Sequence, residues 1–476
     1  MEEIKQEVRV AFQAKIITVN SGIGALWVSA VIILLMSRHH FRSRKAILSY
    51  YKNISGNSVM QFSSFGEKFN RYSGITQLMD DLNTGLRTPG AIMLGGGNPA
   101  AIPAMLDYFH QASQSLLDSG ELVAAMTNYD GPQGKDAFLR TLAALLRENL
   151  GWDISEKNIS LTNGSQSSFF HLFNLLAGKQ PDGSHKKILL PLAPEYIGYG
   201  DAGIDEDIFI SYRPEIEMLD GGLFKYHVDF EHLQVDDSIA AICASRPTNP
   251  TGNVLTDEEV RKLDQLARQH NIPLIIDSAY GLPFPNITFE DVTPFWNENT
   301  ILCMSLSKLG LPGVRCGIVI ANEEITQAMT NLSGIINLSP SSIGPAIANY
   351  MIEQGDLLRL SDHVIQPFYR QKSQRAIKLL QQAIPDPRFR IHKPEGAIFL
   401  WLWFDELPIT TMELYQRLKD RGVLIIPGEY FFIGQQEEWE HGHQCLRMNY
   451  VQDDEQMQKG IDIIAEEVTK AYGEGI

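Results

Sequence analysis

The chain has 476 residues, of which 44% are hydrophobic and 20% charged, and its formal net charge is -17. This length exceeds one ordinary hydrophobic core, so we expect two packed domains or a large domain with a smaller companion. The composition excludes a disordered or fibrous protein. A nucleic-acid partner is disfavoured, because binding to a phosphate backbone depends on clustered Lys and Arg. Small molecules are therefore the expected ligands.

The first segment differs from the rest of the chain. Residues 16–37 contain no charged side chain, and a helix needs about 20 mostly apolar residues to cross a bilayer. Basic residues follow at 38, 42, 44 and 45, so the positive-inside rule would leave the remainder of the chain in the cytoplasm. Alternatively, Met60 opens a plausible soluble protein and the upstream part is non-native translation. We therefore predict a cytoplasmic protein, with an extension over 1–59 that anchors it to a membrane only if 16–37 is a real span.

The cysteines indicate neither a metal site nor a redox pair. They lie in apolar, strand-like runs without CxxC spacing, at Cys243, Cys303, Cys316 and Cys445. We predict buried thiols in a reducing compartment and no bound metal.

From about residue 100 to 345, short β-rich runs alternate with helical patterns. This alternation predicts an α/β fold, in which a mostly parallel sheet is sandwiched by helices. The predicted strands are Ile188–Leu190, Ile239–Cys243, Pro273–Ile276, Ile301–Ser305 and Gly317–Ile320. Two of the predicted helices cover 135–148 and 257–270, and Thr256 and Glu259 form a capping box before the second.

The pattern then changes to a long helical stretch over 357–382, strand-like runs at 398–404 and 423–426, and an acidic terminal helix. This order predicts a second, smaller α+β domain. We predict four regions: the extension 1–59, an arm joining the small domain, a large domain and the small domain, with the last three at 60–99, 100–350 and 351–476.

Polar residues that follow the predicted strands carry the functional prediction, because ligands of open parallel sheets bind outside the carboxyl ends of the strands. Asp277 and Lys308 each end an apolar run. Taken singly, such an Asp is more often structural and such a Lys is usually a surface charge. Their order with other motifs is more specific: Asn249-Pro-Thr-Gly, then Asp277 and Tyr280, then Ser305-Leu-Ser-Lys308, then Pro-Gly-Val-Arg315.

This order and spacing resembles the class I/II aminotransferases of the aspartate aminotransferase fold type. The resemblance implies fold type I and pyridoxal phosphate as cofactor. It also implies transfer of an amino group between amino acids and 2-oxo acids, in a homodimer with shared active sites.

The resemblance also assigns roles around the cofactor ring. A cofactor that stabilises a carbanion needs a lysine to bind its aldehyde and an acid to keep its pyridine nitrogen protonated. Lys308 and Asp277 match these positions. Asn249 and Tyr280 match the residues that bond the ring hydroxyl, and Tyr196 matches the aromatic residue stacked on the ring, with ordinary core packing as the alternative for Tyr196.

The cofactor phosphate needs backbone donors at a helix start and a cation. Here the resemblance implies Gly164, Ser165 and Gln166, together with Ser305, Arg315 and, from the neighbouring subunit, Tyr129. Arg315 lies seven residues after the lysine, where many relatives have eight, so the loop between them is shorter here.

For the substrate, an arginine fork suits a carboxylate better than a lysine does. Arg447 matches the family's carboxylate-binding arginine, while Gly97 and Asn249 match other substrate contacts. Lys308, Asp277 and Tyr280 are the predicted catalytic residues.

A narrower resemblance, over essentially everything after residue 60, is to the valine–pyruvate aminotransferases. The stretch 65–103 and the run from Ser305 to Gly317 carry it, and it implies conversion of valine and pyruvate to 2-oxoisovalerate and alanine. Aromatic or 2-aminoadipate-like donors stay open, because a methylene in an apolar pocket discriminates by only about 1–3 kcal/mol. A pyridoxal-phosphate-dependent lyase is a further alternative.

Overall fold

The computed structural model describes residues 60–71 and 74–474. The described residues divide into two units, with the boundary after Arg71. The described part of the first contains one helix, α1 (Ser64–Phe69), which is capped by the Ser63 hydroxyl at 3.2 Å from the Gly66 amide. The predicted apolar run 16–37 lies outside the described residues. Within the described ranges, no helix is both long and apolar enough to cross a membrane.

The helices of the second unit, in chain order, are α2 (Gly74–Arg87), α3 (Pro103–Asp118), α4 (Glu121–Thr127), α5 (Asp136–Leu150), α6 (Ser165–Leu176), α7 (Asp257–Gln269), α8 (Glu323–Asn337), α9 (Ile343–Glu353), α10 (Asp356–Leu360), α11 (Gln366–Ala383), α12 (Thr411–Asp420) and α13 (Asp454–Glu474). A π-helical turn, Ser361–Ile365, joins α10 to α11, so the predicted helical stretch over 357–382 is confirmed.

The strands are β1 (Ile92–Met93), β2 (Ile159–Thr162), β3 (Gly178–Lys179), β4 (His185–Leu190), β5 (Phe209–Ser211), β6 (Glu215–Leu219), β7 (Leu223–His227), β8 (Ile239–Ser245), β9 (Leu274–Asp277), β10 (Thr300–Ser305), β11 (Gly317–Ile320), β12 (Phe389–His392), β13 (Phe399–Phe404), β14 (Val423–Leu424), β15 (Ile426–Pro427) and β16 (Cys445–Asn449).

An eight-stranded sheet contains all five predicted strands, in the order β2-β11-β10-β9-β8-β4-β3, with β5 also paired to β4. The pairs β10–β9, β9–β8, β8–β4 and β4–β5 are parallel. Since β11 is antiparallel to both β10 and β2, strand β2 runs in the same direction as β10. Only β3 and β11 oppose the other strands, so the sheet is mostly parallel, as predicted.

Both faces of this sheet are buried. In β9, Leu274 and Ile276 pack in one hydrophobic cluster, while Ile275 between them packs in a second. Successive strand side chains point to opposite faces, so the two clusters lie on opposite sides of the sheet. Buried faces of this kind explain why the strands appear in the sequence as continuous apolar runs.

A six-stranded sheet follows the order β15-β16-β13-β12-β7-β6. It combines the late strands with the hairpin β6–β7, and β7 pairs with β12 in parallel. The sequence did not indicate that residues 215–227 join strands after residue 388, and the four predicted region boundaries stay predictions. The predicted single run 423–426 forms two short strands, of which β14 pairs with β1 and β15 with β16.

The predicted capping box before α7 is confirmed. The Thr256 hydroxyl accepts from the Glu259 amide at 3.1 Å, and the Glu259 carboxylate accepts from the Thr256 amide at 2.8 Å. Helix α7 buries Val260, Leu263 and Ala267 against the core, so its ends and its apolar face agree with the sequence pattern.

Candidate active site

Three of the predicted residues lie at one edge of the eight-stranded sheet. Strands β8, β9 and β10 are adjacent and parallel, so their carboxyl ends share that edge. Asn249 follows β8, Asp277 is the last residue of β9, and Lys308 follows β10. The topology therefore brings together motifs that are separated by about sixty residues in the sequence.

Lys308 points its amine into an enclosed position. The amine donates a hydrogen bond to the Gly97 carbonyl and lies 5.2 Å from the centre of the Tyr280 ring. Burial lowers the pKa of Lys308 to about 8; the positive charges of Arg447 and Arg315 act in the same direction, and Asp277 opposes them. About a tenth of this amine is therefore neutral, and nucleophilic, at pH 7, against far less than about a hundredth for an exposed lysine.

Asp277 is 9% exposed. One carboxylate oxygen accepts from the Tyr199 hydroxyl at 2.7 Å, and the other accepts from the Ala279 amide at 3.0 Å. Burial raises the pKa of Asp277 to about 6, although both hydrogen bonds and Lys308 favour the ionised form. Tyr199 was not identified from the sequence; its position three residues after Tyr196 was the only available signal.

The N-terminus of α6 offers an anion-binding site. Gly164 precedes the helix at φ +95° and has no side chain to cap the first backbone N–H groups. A Cβ at Gly164 would lie 2.1 Å from the Arg315 guanidinium. The helix N-terminus and a cation thus face the same space, the arrangement that binds phosphate groups.

Two further residues of the predicted phosphate site, Gln166 and Ser305, lie near this helix start. Gln166 donates from its side chain to the Gly198 carbonyl at 2.8 Å, and a Cβ at Gly198 would meet the Tyr196 ring at 2.4 Å. Ser305 is buried, and its hydroxyl accepts from the Ser307 amide at 3.1 Å. Burial raises the pKa of Tyr196. The charge of Asp277 also raises it, while those of Arg447 and Arg315 lower it.

Arg447 enters the site from β16 of the six-stranded sheet. Its guanidinium donates to the Asn249 side chain at 2.8 Å and to the Gly95 carbonyl at 2.7 Å, and lies 4.1 Å from the Phe399 ring centre. Its buried Nε finds no hydrogen-bond partner among the described residues. Burial lowers the pKa of Arg447 to about 10, so the guanidinium stays positively charged near neutral pH.

Tyr129 is not brought into this pocket. It follows α4, and 83% of its surface is exposed. In the described part of the chain, no group of His, Cys, Asp and Glu side chains could hold a metal ion.

Comparison with known proteins identifies the family. Residues 111–464 match the model of the aminotransferase class I and II family. The chain belongs to the class I and II aminotransferases. It is 62% identical over 415 residues to valine–pyruvate aminotransferase of Escherichia coli K12, covering 87% of this chain and 100% of the relative.

Solved structures of aminotransferases agree with the fold. Valine–pyruvate aminotransferase from Salmonella typhimurium LT2 is 60% identical, with a TM-score of 0.79 over 84% of this chain and 100% of the other. A Thermus thermophilus aspartate aminotransferase double mutant, 19% identical, has a TM-score of 0.68 over 86% of this chain and 100% of the other. The predicted family, enzyme class and fold class are confirmed.

Aminotransferases of this family and fold use pyridoxal phosphate, and the residues present fit that cofactor. The aldehyde requires an amine, and Lys308 offers one with a lowered pKa. The phosphate requires an anion site, and Gly164 and Arg315 form one. The pyridine nitrogen requires an acid, and Asp277 is buried at the same sheet edge. The predicted role of each individual residue stays a prediction.

Substitution Gly164→Ala tests the phosphate site. The added Cβ would displace the Arg315 guanidinium and strain a backbone at positive φ, so we expect the affinity of the apoenzyme for pyridoxal phosphate to fall at least about tenfold, or about 1.4 kcal/mol. The cofactor is titrated into the apoenzyme and binding is followed by tryptophan fluorescence. Gly313→Ala is the matched control, because a Cβ there meets nothing within 4 Å. Equal affinities for the two variants would contradict the assignment.

Proposed function

We propose that this aminotransferase transfers the amino group of L-valine to pyruvate, giving 2-oxoisovalerate and L-alanine. The observation that carries this proposal is the 62% identity to the valine–pyruvate aminotransferase of Escherichia coli, whose whole length is matched. The relatives named for other substrates are much less similar, such as the aromatic-amino-acid aminotransferase of Thermococcus litoralis at 24% identity. Valine is therefore favoured over aromatic donors.

Lys308 carries the central chemical role. Pyridoxal phosphate supplies an aldehyde that binds amines and a ring that accepts the electron pair left on the substrate Cα. Lys308 would hold that aldehyde, and its amine, when free, would move the proton at the substrate Cα. A pKa of about 8 suits this role, because a useful general base has a pKa near the working pH.

Other side chains hold the reacting groups. Asp277 would keep the proton on the pyridine nitrogen, and Asn249 and Tyr280 would donate to the ring hydroxyl. Tyr196 would pack against the ring. The residues that would hold the phosphate are Gly164, Ser165, Gln166, Ser305 and Arg315.

Arg447 binds the substrate carboxylate. Its guanidinium is held by Asn249 and Gly95 and has an unused buried donor, so binding an anion would satisfy a group that is costly to leave unpaired. The backbone at Gly97, already the acceptor for the Lys308 amine, lies close enough to contact the substrate.

The reaction is tested by incubating the purified enzyme with pyridoxal phosphate, valine and pyruvate and measuring alanine. We expect alanine in an amount equal to the 2-oxoisovalerate formed. Lys308→Ala should remove both turnover and the absorbance of lysine-bound cofactor, because the lysine that binds the aldehyde and moves the Cα proton is then missing. Lys157→Ala, at an exposed position, is the control and should behave as wild type. Near-normal turnover by Lys308→Ala would contradict the site, and equal release of ammonia and oxo acid from one substrate would indicate a lyase.

We also propose that two copies of the chain form a homodimer in which Tyr129 contributes to the partner's site. Tyr129 is 83% exposed, and Ile335 and Leu338 at the end of α8 are 82% and 67% exposed. Gly334, next to Ile335, lies close to Pro132, since a Cβ there would be 3.4 Å from Pro132 Cβ. Tyr129 is therefore close in sequence to a proline that lies near these exposed apolar side chains, and contiguous exposed apolar surface is typical of protein interfaces.

Hybrid dimers test whether Tyr129 is shared between subunits. In the homodimer, Tyr129→Phe should weaken cofactor binding, because one phosphate donor is lost. In a hybrid of one Tyr129→Phe subunit and one Lys308→Ala subunit, the site with an intact Lys308 would receive an intact Tyr129 from the other subunit, so its cofactor affinity should return to the wild-type value. Cofactor absorbance of refolded hybrids, separated by an affinity tag, measures this. Affinity that stays at the Tyr129→Phe value would place Tyr129 in its own subunit's site.

The cytoplasm is the location we propose. All four cysteines lie in the described part of the chain, where they are free and buried, which fits a reducing compartment. Membrane anchoring through residues 16–37 is the alternative.

A further inference from the structure

A buried ion pair lies beside the loop after β8, residues 246–254, which carries Asn249 and is called the Asn249 loop below. The amine of Lys225, on β7, pairs with the carboxylate of Glu395, between β12 and β13. The two side chains are 8% and 2% exposed, and the proposed mechanism uses neither. Replacing a buried ion pair by apolar side chains often leaves stability unchanged or raises it, so stability alone does not account for charges at this position.

The pair also bonds the end of the Asn249 loop. The Lys225 amine donates to the Asn253 side-chain oxygen at 3.0 Å and to the Val254 carbonyl at 3.1 Å. The Glu395 oxygen that faces Lys225 accepts from the Val254 amide at 3.0 Å. Both backbone polar groups of Val254 are thus bound by the two charges, which fixes where the loop ends.

The Asn249 loop is closed and closely packed. The Thr248 amide donates to the Asn253 carbonyl at 2.9 Å, which joins the residues on either side of Asn249. A Cβ at Gly252 would lie only 2.7 Å from the Gly396 carbonyl oxygen, so the loop touches the segment that contains Glu395. A displacement of the loop's end therefore moves Asn249 as well.

Asn249 in turn holds Arg447. The guanidinium donates to the Asn249 side-chain oxygen at 2.8 Å and lies 4.1 Å from the centre of the Phe399 ring. Phe399 is the first residue of β13 and follows Glu395 closely in the chain. Both neighbours of the guanidinium thus belong to segments that the ion pair joins. Because a guanidinium recognises a carboxylate through a rigid fork of donors, its orientation decides how well it binds.

We propose that Lys225 and Glu395 are positioning residues, which orient Arg447 for the substrate carboxylate by fixing the Asn249 loop. This inference rests on the proposed role of Arg447. Neither residue of the pair touches substrate or cofactor. A carboxylate is common to the amino acid and the 2-oxo acid, so loss of the pair weakens the binding of both.

The test uses 3-methylbutanoate, which has the carbon skeleton of valine without the amino group and so reports carboxylate binding alone. Its dissociation constant for the holoenzyme is measured by isothermal titration calorimetry, per cofactor-loaded site. Lys225→Met keeps the stem and removes the ammonium group, so we expect binding to weaken at least about fivefold. In steady-state assays the KM for valine should rise by a similar factor while kcat changes less than about twofold, as expected when ground-state binding is lost.

Lys393→Met is the matched control. The Lys393 amine lies 3.1 Å from the other Glu395 oxygen and 3.0 Å from Glu290, so this substitution removes a cation from Glu395 and leaves its bond to the loop in place. Binding of 3-methylbutanoate should stay within about twofold of wild type.

A double-mutant cycle identifies the route. In an Asn249→Ala background the connection to Arg447 is already lost, so Lys225→Met should weaken binding further by less than about twofold. If Lys225→Met does not fold, as circular dichroism would show, combining it with Glu395→Gln removes both charges and should give the same loss of affinity.

Wild-type affinity in the folded variant, even with a lower melting temperature, would indicate a purely structural pair and overturn the proposal. An equal loss of affinity in Lys393→Met would also overturn it. Failure of the proposed function is distinguishable, because Arg447→Met would then bind 3-methylbutanoate as tightly as the unsubstituted enzyme.

Discussion

The amine of Lys308 lies in a buried pocket beside one carboxyl group and two guanidinium groups. The protonation state of this amine is set by burial and by these charges, and the other features of the site depend on it. Burial alone would favour a neutral amine, and Arg447 and Arg315 strengthen the effect, while Asp277 opposes it. A lysine at the protein surface would stay protonated and would be a poor nucleophile. The pocket therefore provides a reactive amine without any further base.

The residues that surround the Lys308 amine come from both sheets. The parallel order of β8, β9 and β10 places Asp277 and Lys308, whereas Arg447 lies on β16 and Gly97 in the loop after β1. Arg447 donates hydrogen bonds to Asn249, which follows β8, and to Gly95, which lies in the loop after β1. Because the same arginine holds the site together and carries an unused donor, positioning of the pocket and recognition of a substrate anion depend on one side chain.

Much of this arrangement could be predicted from the sequence. The strands before Asp277 and Lys308 are buried on both faces, so their apolar runs mark where they end, and the residues at those ends are the ones that the sheet brings together. The capping box of Thr256 and Glu259 marks the start of α7 because it is entirely local. The contacts of Gly164 with Arg315 could be expected only through resemblance to known aminotransferases.

The rest depends on contacts that leave no local signal. The link from Tyr199 to Asp277 spans 78 residues and that from Glu195 to Ser245 spans 50. A carboxyl group is normally exposed, so nothing in the sequence marked Glu195 as buried. Likewise, β6 and β7 were not among the predicted strands, and hydrophobic alternation sets which side chains face the core without specifying the neighbouring strand.

The attachment of the cofactor to Lys308 is tested most directly by trapping the cofactor on the protein. Holoenzyme is reduced with borohydride, which fixes the bond between pyridoxal phosphate and its lysine, and the modified peptide is then identified by mass spectrometry. We expect a single modified lysine, Lys308. Stoichiometric modification at any other lysine, with Lys308 recovered intact, would contradict this expectation.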